Sequence, residues 1–467
     1  KPKASEGTFK LSYKFNGKTL SGKTLVSYVE VKKNRETIAA HKDIADEDQT
    51  VYIPGIKTTA LDKATGTHMI IADGIAEVID TVKYSGLQPG FAYDVKGTLM
   101  DKNTNEPLLI DGKEITGSAS FTAENTMGTV DVAFTFDASA IIGKNLVVYE
   151  DLYLDGEVIA DHRDIDDEEQ TIYTAKISTV AKDSESGLKL INPDGTVSIT
   201  DTISYENFIP ELTYVFKGRL VDTATGETLK DKDGNDVVSE NEVTPKEKVG
   251  TTDVTFTFEG YTELEGKNVV VFEDAYLKKA DGSLILVASE ISLDNEDQTV
   301  YFPELHTTAF SNDTKINVAK AGKAEIVDTV AYYNVLPNIP YKVVGTLIDK
   351  DTAKAVTVDG KEVTAETEFT PDNSYGTVDV TFKFDASDLS GKTLVAFEKL
   401  YVVKDKDVLV KSHEKINDEK ETIYLPKIGT TATDAKTGLH IANADEDITI
   451  NDEIAYDNLV PGYEYTF

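Results

Sequence analysis

The sequence predicts an all-β fold in which β-sandwich repeats of about 120 residues follow one another along an elongated rod. Apolar and polar residues alternate with a period of two in the segment that begins at Gly128, as expected for half-buried strands. Short continuous apolar runs have the length of buried strands, and pairs such as Asp111-Gly112 mark hairpin turns between them. No amphipathic helical pattern of useful length competes with this interpretation.

Three sequence blocks recur and define the repeat. The first reads G-T-V-D-V-A-F-T-F-D, and its copies begin at Gly7, Gly128, Gly250 and Gly376. The second has the form Q-T-x-Y or E-T-x-Y and begins at Gln49, Gln170, Gln298 and Glu421. The third reads T-T-A or T-V-A and begins at Thr58, Thr179, Thr307 and Thr430. The spacing is that of whole domains and is too long for solenoid repeats, so we expect sandwiches of the immunoglobulin-like or prealbumin-like kind.

The second block closes one repeat and the third block opens the next, which sets the predicted boundaries. Complete repeats, called repeats 1, 2 and 3 below, cover residues 56–175, 176–303 and 304–426. Residues 1–55 form the C-terminal half of a repeat, and residues 427–467 form the N-terminal half of another. Two explanations stay open: the chain is an excerpt from a longer fibre, or the halves complement each other head to tail between chains.

The composition argues against several classes of function. With 47 Lys+Arg against 83 Asp+Glu, the net charge of −36 disfavours nucleic acids and anionic membrane surfaces as partners. Cysteine is absent, and no apolar run is long enough for membrane insertion. No phosphate loop, nucleophile elbow or spaced set of metal ligands occurs, so we expect no cofactor, no metal and no enzymatic turnover. The segment D-K-D-G-N-D (231–236) has Gly234 in the fourth position rather than the sixth, which predicts a hairpin turn instead of a calcium loop.

Specific polar residues return at fixed offsets from repeat to repeat. In repeat 1 they are Thr58, Asp80, Glu150, His162 and Gln170. Each has an ordinary structural explanation when it is taken alone, since threonine favours strands, aspartate favours turns and an isolated histidine usually has no role. Their joint recurrence favours a chemical reason, because packing alone would preserve polarity but not residue identity.

The motifs T-T-A, D-T-V-x-Y, V-x-[FY]-E and H-x-D-x-x-D-x-x-Q-T together resemble the Thr–Gln ester-bond domains, also called VaFE repeats, of Gram-positive surface adhesins. The resemblance implies that a threonine hydroxyl attacks a glutamine side-chain amide, that ammonia leaves, and that an ester joins the first and last strands. It assigns Thr58 as the nucleophile and Gln170 as the electrophile. Asp80, Glu150 and His162 would assist the reaction.

The residue types suit this reaction. We expect His162 to take the proton of the hydroxyl, and a protonated carboxyl to polarise the Gln170 carbonyl as an oxyanion hole does. Asp80 and Glu150, if desolvated and close together, would have raised pKa values and would share a proton. A dry interior would then protect the ester from hydrolysis.

Repeat 2 departs from the pattern at one position. It has Thr179, Asp201, Glu273 and Gln298, with Glu290 at the position of the histidine. A desolvated glutamate can act as a base, so the sequence favours a bond between Thr179 and Gln298. Because Thr179 is followed by Val180, we assign the nucleophile in repeat 1 to Thr58 rather than to Thr59.

Repeat 3 departs at the electrophile. It has Thr307, Asp328, Glu398 and His413, with Glu421 at the position of the glutamine. A carboxylate has no ammonia to expel and is a far worse electrophile than an amide. We therefore expect a degenerate site without an ester.

The terminal halves contain the remaining parts of a site. His41 and Gln49 lie in the first half, where Val29 replaces the glutamate, and Thr430 and Asp452 lie in the last half. Complementation between chains would bring these groups together and would allow an intermolecular ester, which the missing glutamate disfavours.

The resemblance implies a stalk segment of a bacterial surface adhesin or fibre, extracellular and attached to the cell wall through a region outside this chain. The expected partners are other repeats of the same fibre. One alternative is a binding module that uses its sandwich loops to recognise a host surface ligand, either a protein or a glycan. Another is a Lys–Asn isopeptide cross-link, although the closing strands have Gln-Thr rather than a cross-linking asparagine.

Overall fold

The computed structural model describes residues 2–71, 74–444 and 447–467, and it confirms the predicted all-β fold. Helical structure in these residues is limited to three-residue 3₁₀ turns, at Lys18–Leu20, Glu47–Gln49, Ser139–Ile141, Glu168–Gln170, Thr262–Leu264 and Ser387–Leu389. None of the described helical segments has the length or the apolar character needed to cross a bilayer.

The strands repeat in the same order along the chain. Repeat 1 has Gly55–Asp62, Met69–Ile70, Ile75–Ser85, Ala92–Asp101, Glu106–Pro107, Leu109–Ile110, Lys113–Glu114, Thr116–Thr122, Met127–Asp137, Asn145–Leu154, Glu157–His162 and Thr171–Thr174. Repeat 2 has Lys176–Asp183, Thr196–Glu206, Tyr214–Asp222, Val238–Val243, Gly250–Glu259, Asn268–Lys278, Leu284–Glu290 and Thr299–Tyr301. Repeat 3 has Glu304–Ser311, Lys323–Tyr333, Tyr341–Asp349, Lys354–Ala355, Thr357–Val358, Lys361–Glu362, Thr364–Phe369, Gly376–Asp385, Thr393–Val402, Val408–His413 and Thr422–Tyr424. The terminal halves have Thr24–Val26, Val29–Lys33, Glu36–His41 and Thr50–Tyr52, and then Lys427–Asp434 and Ile450–Asp457.

Four strands of each repeat position the site. The opening strand carries the T-T-A or T-V-A block, in Gly55–Asp62, Lys176–Asp183 and Glu304–Ser311. The second strand follows it along the chain, in Ile75–Ser85, Thr196–Glu206 and Lys323–Tyr333. The central strand carries the V-x-[FY]-E motif, in Asn145–Leu154, Asn268–Lys278 and Thr393–Val402. The closing strand carries the T-x-Y of the second block, in Thr171–Thr174, Thr299–Tyr301 and Thr422–Tyr424.

Each complete repeat is a sandwich of two sheets. One sheet has three antiparallel strands, with the second strand lying between the opening strand and the strand of the G-T-x-D-V block. The other sheet is built around the central strand, which pairs with the closing strand at one end. The opening and closing strands therefore lie in different sheets, so a bond between them would join the two layers.

Alternating side chains from both sheets form the core. In repeat 1, Val78, Val82 and Phe134 of the three-stranded sheet pack against Leu99 and Val148 of the other sheet, and all five are fully buried. Burial of each such side chain contributes about 1.5–3 kcal/mol to folding, which fixes the strand register and with it the face on which each polar residue lies.

The glycine that opens the first block is required by a tyrosine opposite it. Gly128 pairs with Tyr84, and a Cβ atom built on this glycine would lie 2.3 Å from the tyrosine hydroxyl oxygen. Gly250 and Gly376 face Tyr205 and Tyr332 in the same way. The tyrosine of D-T-V-x-Y and the glycine of G-T-x-D-V thus recur together because they are in contact.

An asparagine holds each junction that follows a complete repeat. Asn207, Asn334 and Asn458 have φ values of 62°, 58° and 61°, a region that asparagine tolerates better than most residues. Asn207 Nδ2 donates to the carbonyls of Gly143 and Thr174, at 2.9 and 3.1 Å, and the other two repeat this contact with the unit before them. These bonds satisfy carbonyls at the point where the chain passes from one sandwich to the next.

Repeats 2 and 3 share a further polar contact. The side chain of Lys411 is only 4% exposed, and its Nζ lies 3.0 Å from Asp194 Oδ1 and 3.2 Å from Glu265 Oε1. The Ser412 hydroxyl also donates to Asp194. A lysine of repeat 3 is therefore enclosed by two carboxylates of repeat 2.

The terminal halves form separate small sheets, and no strand pairing joins one half to the other among the described residues. Residues 7–16, which contain the fourth copy of the first block, form no strand, and Phe9 in this segment is 87% exposed. The proposed domain boundaries and the choice between excerpt and complementation stay predictions.

Candidate cross-link sites

In repeat 1 four of the five predicted side chains lie in the space between the sheets. Thr58, Asp80, Glu150 and Gln170 are all buried, whereas Thr59 is only partly buried on the other face of its strand. The structure thus brings together the groups that the sequence places far apart. The prediction placed Gln170 on the closing strand. In the structure it ends the 3₁₀ turn just before that strand.

The contacts in repeat 1 connect the nucleophile, the electrophile and one carboxyl. Gln170 Nε2 donates to Thr58 Oγ1, and it also donates to Glu150 Oε2 at 2.7 Å. Thr58 Oγ1 lies 3.4 Å from the same Glu150 oxygen. A single carboxyl oxygen therefore contacts both the hydroxyl that must lose a proton and the nitrogen that must gain one.

Burial changes the protonation of the carboxyl pair. Desolvation raises the pKa of Glu150 well above its usual value, and the neighbouring Asp80 raises it further. Desolvation also raises the pKa of Asp80, while the hydrogen bond from Glu150 and the charge of His162 lower it. The predicted shared proton follows from this arrangement, because two carboxylates in contact inside a protein cannot both ionise at low cost.

Two details of the predicted chemistry are not seen among these contacts. His162 Nε2 is hydrogen-bonded to Asp167 Oδ2 at 2.8 Å, and no hydrogen bond among the described residues joins it to Thr58 or Gln170. The Gln170 carbonyl oxygen has no hydrogen-bond partner, since the amide presents its nitrogen to Glu150 instead. The role of His162 as the base stays a prediction, and Glu150 is the carboxyl that contacts the Thr58 hydroxyl.

His162 positions the turn that carries the glutamine. Asp167 caps this turn by accepting a hydrogen bond from the backbone N–H of Glu169 at 2.9 Å, and its other oxygen bonds to His162. The histidine therefore holds the capping residue in place. The capping residue, by fixing the start of the 3₁₀ turn, fixes the position of Gln170 at its end.

Repeat 2 explains why a glutamate replaces the histidine. Glu290 Oε1 accepts a hydrogen bond from Asn295 Nδ2 at 3.2 Å, and Asn295 Oδ1 accepts one from the backbone N–H of Asp297. Histidine with aspartate in repeat 1 becomes glutamate with asparagine in repeat 2, so donor and acceptor have exchanged places. The role of Glu290 as a replacement base stays a prediction, and the contact that its carboxylate makes is with Asn295. The paired change at 290 and 295 is the sequence signal for this contact.

The Thr–Gln contact of repeat 1 recurs in repeat 2, but the glutamate contacts do not, because both carboxyl oxygens of Glu273 lack a hydrogen-bond partner. Gln298 Nε2 lies 2.5 Å from Thr179 Oγ1. Burial raises the pKa of Asp201 to about 7, although the Thr179 hydroxyl bonded to it opposes the shift. Burial and the nearby charge of Asp201 raise the pKa of Glu273 to about 9.

A glycine faces the site glutamate in every complete repeat, and the sequence analysis missed it. Gly97, Gly218 and Gly345 pair with Glu150, Glu273 and Glu398 across the sheet. A Cβ on Gly218 would lie 2.2 Å from Glu273 Oε1 and 2.5 Å from Phe256 Cζ. These glycines make room for a buried glutamate beside a core phenylalanine, and their nearly constant offset from the glutamate was the available signal.

Repeat 3 assembles the same strands without an amide. Asp328, Glu398 and Glu421 are fully buried, and one oxygen from each lies within 4.8 Å of the others. His413 bonds to Asp418 at 3.1 Å, as His162 does to Asp167. The sequence shows no spaced set of metal ligands, because the members of this cluster come from three separate strands or turns and meet only in the fold.

The predicted intermolecular site is not assembled within this chain. Thr430 and Asp452 lie exposed on a two-stranded sheet, and His41 bonds to Asp46 in the other half. Among the described residues, no hydrogen bond joins Thr430 or Asp452 to Gln49.

A family model described as "T-Q ester bond containing domain" matches the chain in five segments, covering residues 1–53, 54–174, 175–302, 303–425 and 426–467. The chain belongs to the T-Q ester bond domain family. Domains of this family are structural units that cross-link themselves, and they are not enzymes.

Several solved structures resemble parts of this T-Q ester bond protein. A Mobiluncus mulieris adhesin with intramolecular disulfide, isopeptide and ester cross-links is 14% identical, with 61% of this chain and 98% of that chain covered and a TM-score of 0.24. Three N-terminal domains of the bacteriophage RB49 outer capsid protein Hoc are 10% identical, with 78% of this chain and 96% of that chain covered and a TM-score of 0.29. The C-terminal domain of the Streptococcus agalactiae antigen I/II polypeptide BspA is 12% identical, with 51% of this chain and 98% of that chain covered and a TM-score of 0.23. A comparison with curated proteins finds no match.

Proposed function

We propose that repeats 1 and 2 form Thr58–Gln170 and Thr179–Gln298 ester bonds autocatalytically, and that the chain is a stalk segment of a bacterial surface adhesin. The observation that supports the chemistry best is the contact of one Glu150 oxygen with both the Thr58 hydroxyl and the Gln170 amide nitrogen. Family membership supports the same reaction.

The proposed reaction balances without an external reagent. Thr58 Oγ1 attacks the side-chain carbonyl carbon of Gln170 while its proton passes to the Asp80–Glu150 pair. The pair, which already holds one proton, returns a proton to the amide nitrogen. The C–N bond breaks, ammonia leaves, and the products are one ester and one ammonia.

The interior supports both steps. The side chains of Asp80, Glu150 and Gln170 are fully buried, so the acid–base pair acts without competing water. The same burial protects the ester once the ammonia has escaped. Because the carboxyl pair is regenerated but the amide is consumed, each site reacts once.

The position of the bond suits a load-bearing role. It would connect the opening strand, near the entry of the chain, to the turn before the closing strand, near the exit. By analogy with the loop entropy of disulfides, a cross-link that closes a loop of this size stabilises by about 4–5 kcal/mol. The high net negative charge would keep an extended chain soluble and self-repelling.

The adhesin assignment draws on membership of the T-Q ester bond domain family and on the presence of ester cross-links in the Mobiluncus mulieris adhesin. In this proposal the chain is extracellular, on a Gram-positive cell surface, and it is linked to the cell wall through another region. Its partners are the neighbouring repeats of the same protein.

Pulling single molecules of the full chain tests the stalk function. An unlinked repeat of about 120 residues should lengthen by roughly 400 Å when it unfolds. We expect repeat 3 to give one such step and repeat 1 to give none. The Gln170→Ala variant should add a second long step, whereas Glu421→Ala should add none. Full extension of repeat 1 in the wild-type chain would contradict a covalent load path.

A further inference from the structure

At the site of repeat 3, seven buried oxygen atoms have no hydrogen-bond partner. Six are the carboxylate oxygens of Asp328, Glu398 and Glu421, and the seventh is Thr307 Oγ1. Thr307 is only 4% exposed, and its hydroxyl faces Glu421 without completing a hydrogen bond of ordinary geometry. Buried polar atoms are normally satisfied, so a set of seven in one place calls for an additional group.

The corresponding sites of repeats 1 and 2 contain an amide donor, and fewer site oxygens lack a partner there, four in repeat 1 and five in repeat 2. There the glutamine amide nitrogen donates to the threonine hydroxyl, and in repeat 1 it also donates to the site glutamate. Glu421 removes this donor and adds a third carboxyl. The charged groups nearest to the cluster do not replace the donor, because His413 is bonded to Asp418 and the charge of Asp418 opposes ionisation of Glu398 and Glu421.

We propose that repeat 3 binds one calcium ion through Asp328, Glu398 and Glu421, with the Thr307 hydroxyl as a further ligand. All of the available atoms are oxygens, and calcium takes six to eight oxygen ligands in flexible geometry. Magnesium would need to keep several of its waters, and zinc prefers nitrogen and sulfur ligands. The charge of the ion would compensate carboxylates that are otherwise costly to bury.

The ligands come from the elements that the ester joins in the other repeats. Thr307 lies on the opening strand, Asp328 on the second strand and Glu398 on the central strand, while Glu421 directly precedes the closing strand. A bound ion would therefore link the two sheets of repeat 3 without a covalent bond. This inference does not depend on ester formation in repeats 1 and 2.

Metal analysis of the full chain tests the site. Because the ligands are buried, the chain should first be unfolded in a denaturant that contains a chelator. It should then be refolded at pH 8 with calcium chloride and freed of excess salt before analysis. We expect one calcium per wild-type chain, and a loss of that ion in both Asp328→Asn and Glu398→Gln. Using two variants, with circular dichroism of each, separates loss of the ligand from failure to fold.

Two controls locate the ion. Asp201→Asn removes the equivalent carboxyl from repeat 2, and Asp231→Asn alters the acidic hairpin at residues 231–236; both should retain the calcium. The proposal is overturned if folded wild-type chain retains no calcium, which would leave a cluster held by protons alone. It is also overturned if calcium persists in Asp328→Asn and Glu398→Gln. Intact mass reports the esters separately, so the two proposals succeed or fail independently.

Discussion

Among single residues, the histidine of the closing motif contacts the residue that caps the turn and not the reacting groups themselves. His162 holds Asp167, Asp167 caps the turn, and the turn presents Gln170 to Thr58. Repeat 2 replaces this histidine–aspartate pair with Glu290 and Asn295 and retains the hydrogen bond. A group that can be exchanged together with its partner is a positioning residue rather than a base.

This interpretation predicts the outcome of a paired exchange in repeat 1. His162→Glu alone places a carboxylate against Asp167 and should weaken the cap by about 1 kcal/mol, slowing ester formation several-fold. The double variant His162→Glu, Asp167→Asn should restore the wild-type rate, because it reproduces the pair of repeat 2. The rate is measured as ammonia loss by intact mass during refolding. If the double variant is as slow as the single one, His162 acts directly on the reaction.

The glycine opposite the site glutamate predicts a second substitution effect. Gly218→Ala places a Cβ 2.2 Å from Glu273 Oε1, so the carboxyl must leave its position. We expect a loss of about 1–3 kcal/mol in stability and no ester in repeat 2. Gly429→Ala is the control, because no atom lies within 4 Å of its built Cβ. A Gly218→Ala chain that cross-links at the normal rate would show that Glu273 is dispensable.

Among the elements, the junction of repeats 2 and 3 depends on one buried amine. Lys411→Ala would leave Asp194 and Glu265 without their cation, and since Asp194 is 42% exposed the expected cost is only about 1–2 kcal/mol. Thermal unfolding should then show repeat 3 melting earlier. Lys279→Ala is the matched control, because this half-buried lysine makes only a 3.4 Å contact across repeats. Equal melting of the two variants would contradict a role for the cluster.

The strands show how far the sequence could lead. Recurrence and period two were enough to predict the sandwiches, and they identified Thr58, Asp80, Glu150 and Gln170 as members of one buried site. They did not reveal that Gly97 makes room for Glu150, because a recurring offset between two residues does not say that they face each other across a sheet. The contact of His162 with Asp167 was also missed, although the two positions are five residues apart in each repeat, because recurrence alone does not say which residues touch.

Considered as a whole, the molecule repeats one scaffold with two different sets of site groups. Repeats 1 and 2 have the amide, and repeat 3 has a third carboxyl in its place. Asparagine contacts recur at each junction that follows a complete repeat. The sandwich thus tolerates exchange of the linking group as long as the four strands keep their register.

The carboxyl pair of repeat 2 predicts how cross-linking of the chain depends on pH. The pKa of Asp201 is raised to about 7 and that of Glu273 to about 9, so the pair holds a single proton between these values. Below pH 7 the pair cannot accept the threonine proton, and above pH 9 it has none to donate, so the rate should be bell-shaped. The rate is measured as ammonia loss in Gln170→Ala, in which only repeat 2 reacts. A rate that rises steadily with pH would exclude the pair as the proton carrier.

The most direct test of the account is the mass of the folded chain, followed by peptide mapping. We predict that wild type has lost one ammonia for each of repeats 1 and 2, that Gln170→Ala retains one of these, and that a digest contains a peptide joining Thr58 to Gln170. Hydroxylamine should cleave this peptide, as expected for an ester and not for an amide. A wild-type chain that folds with its full unmodified mass, or a digest in which Thr58 and Gln170 are always in separate peptides, would contradict the ester.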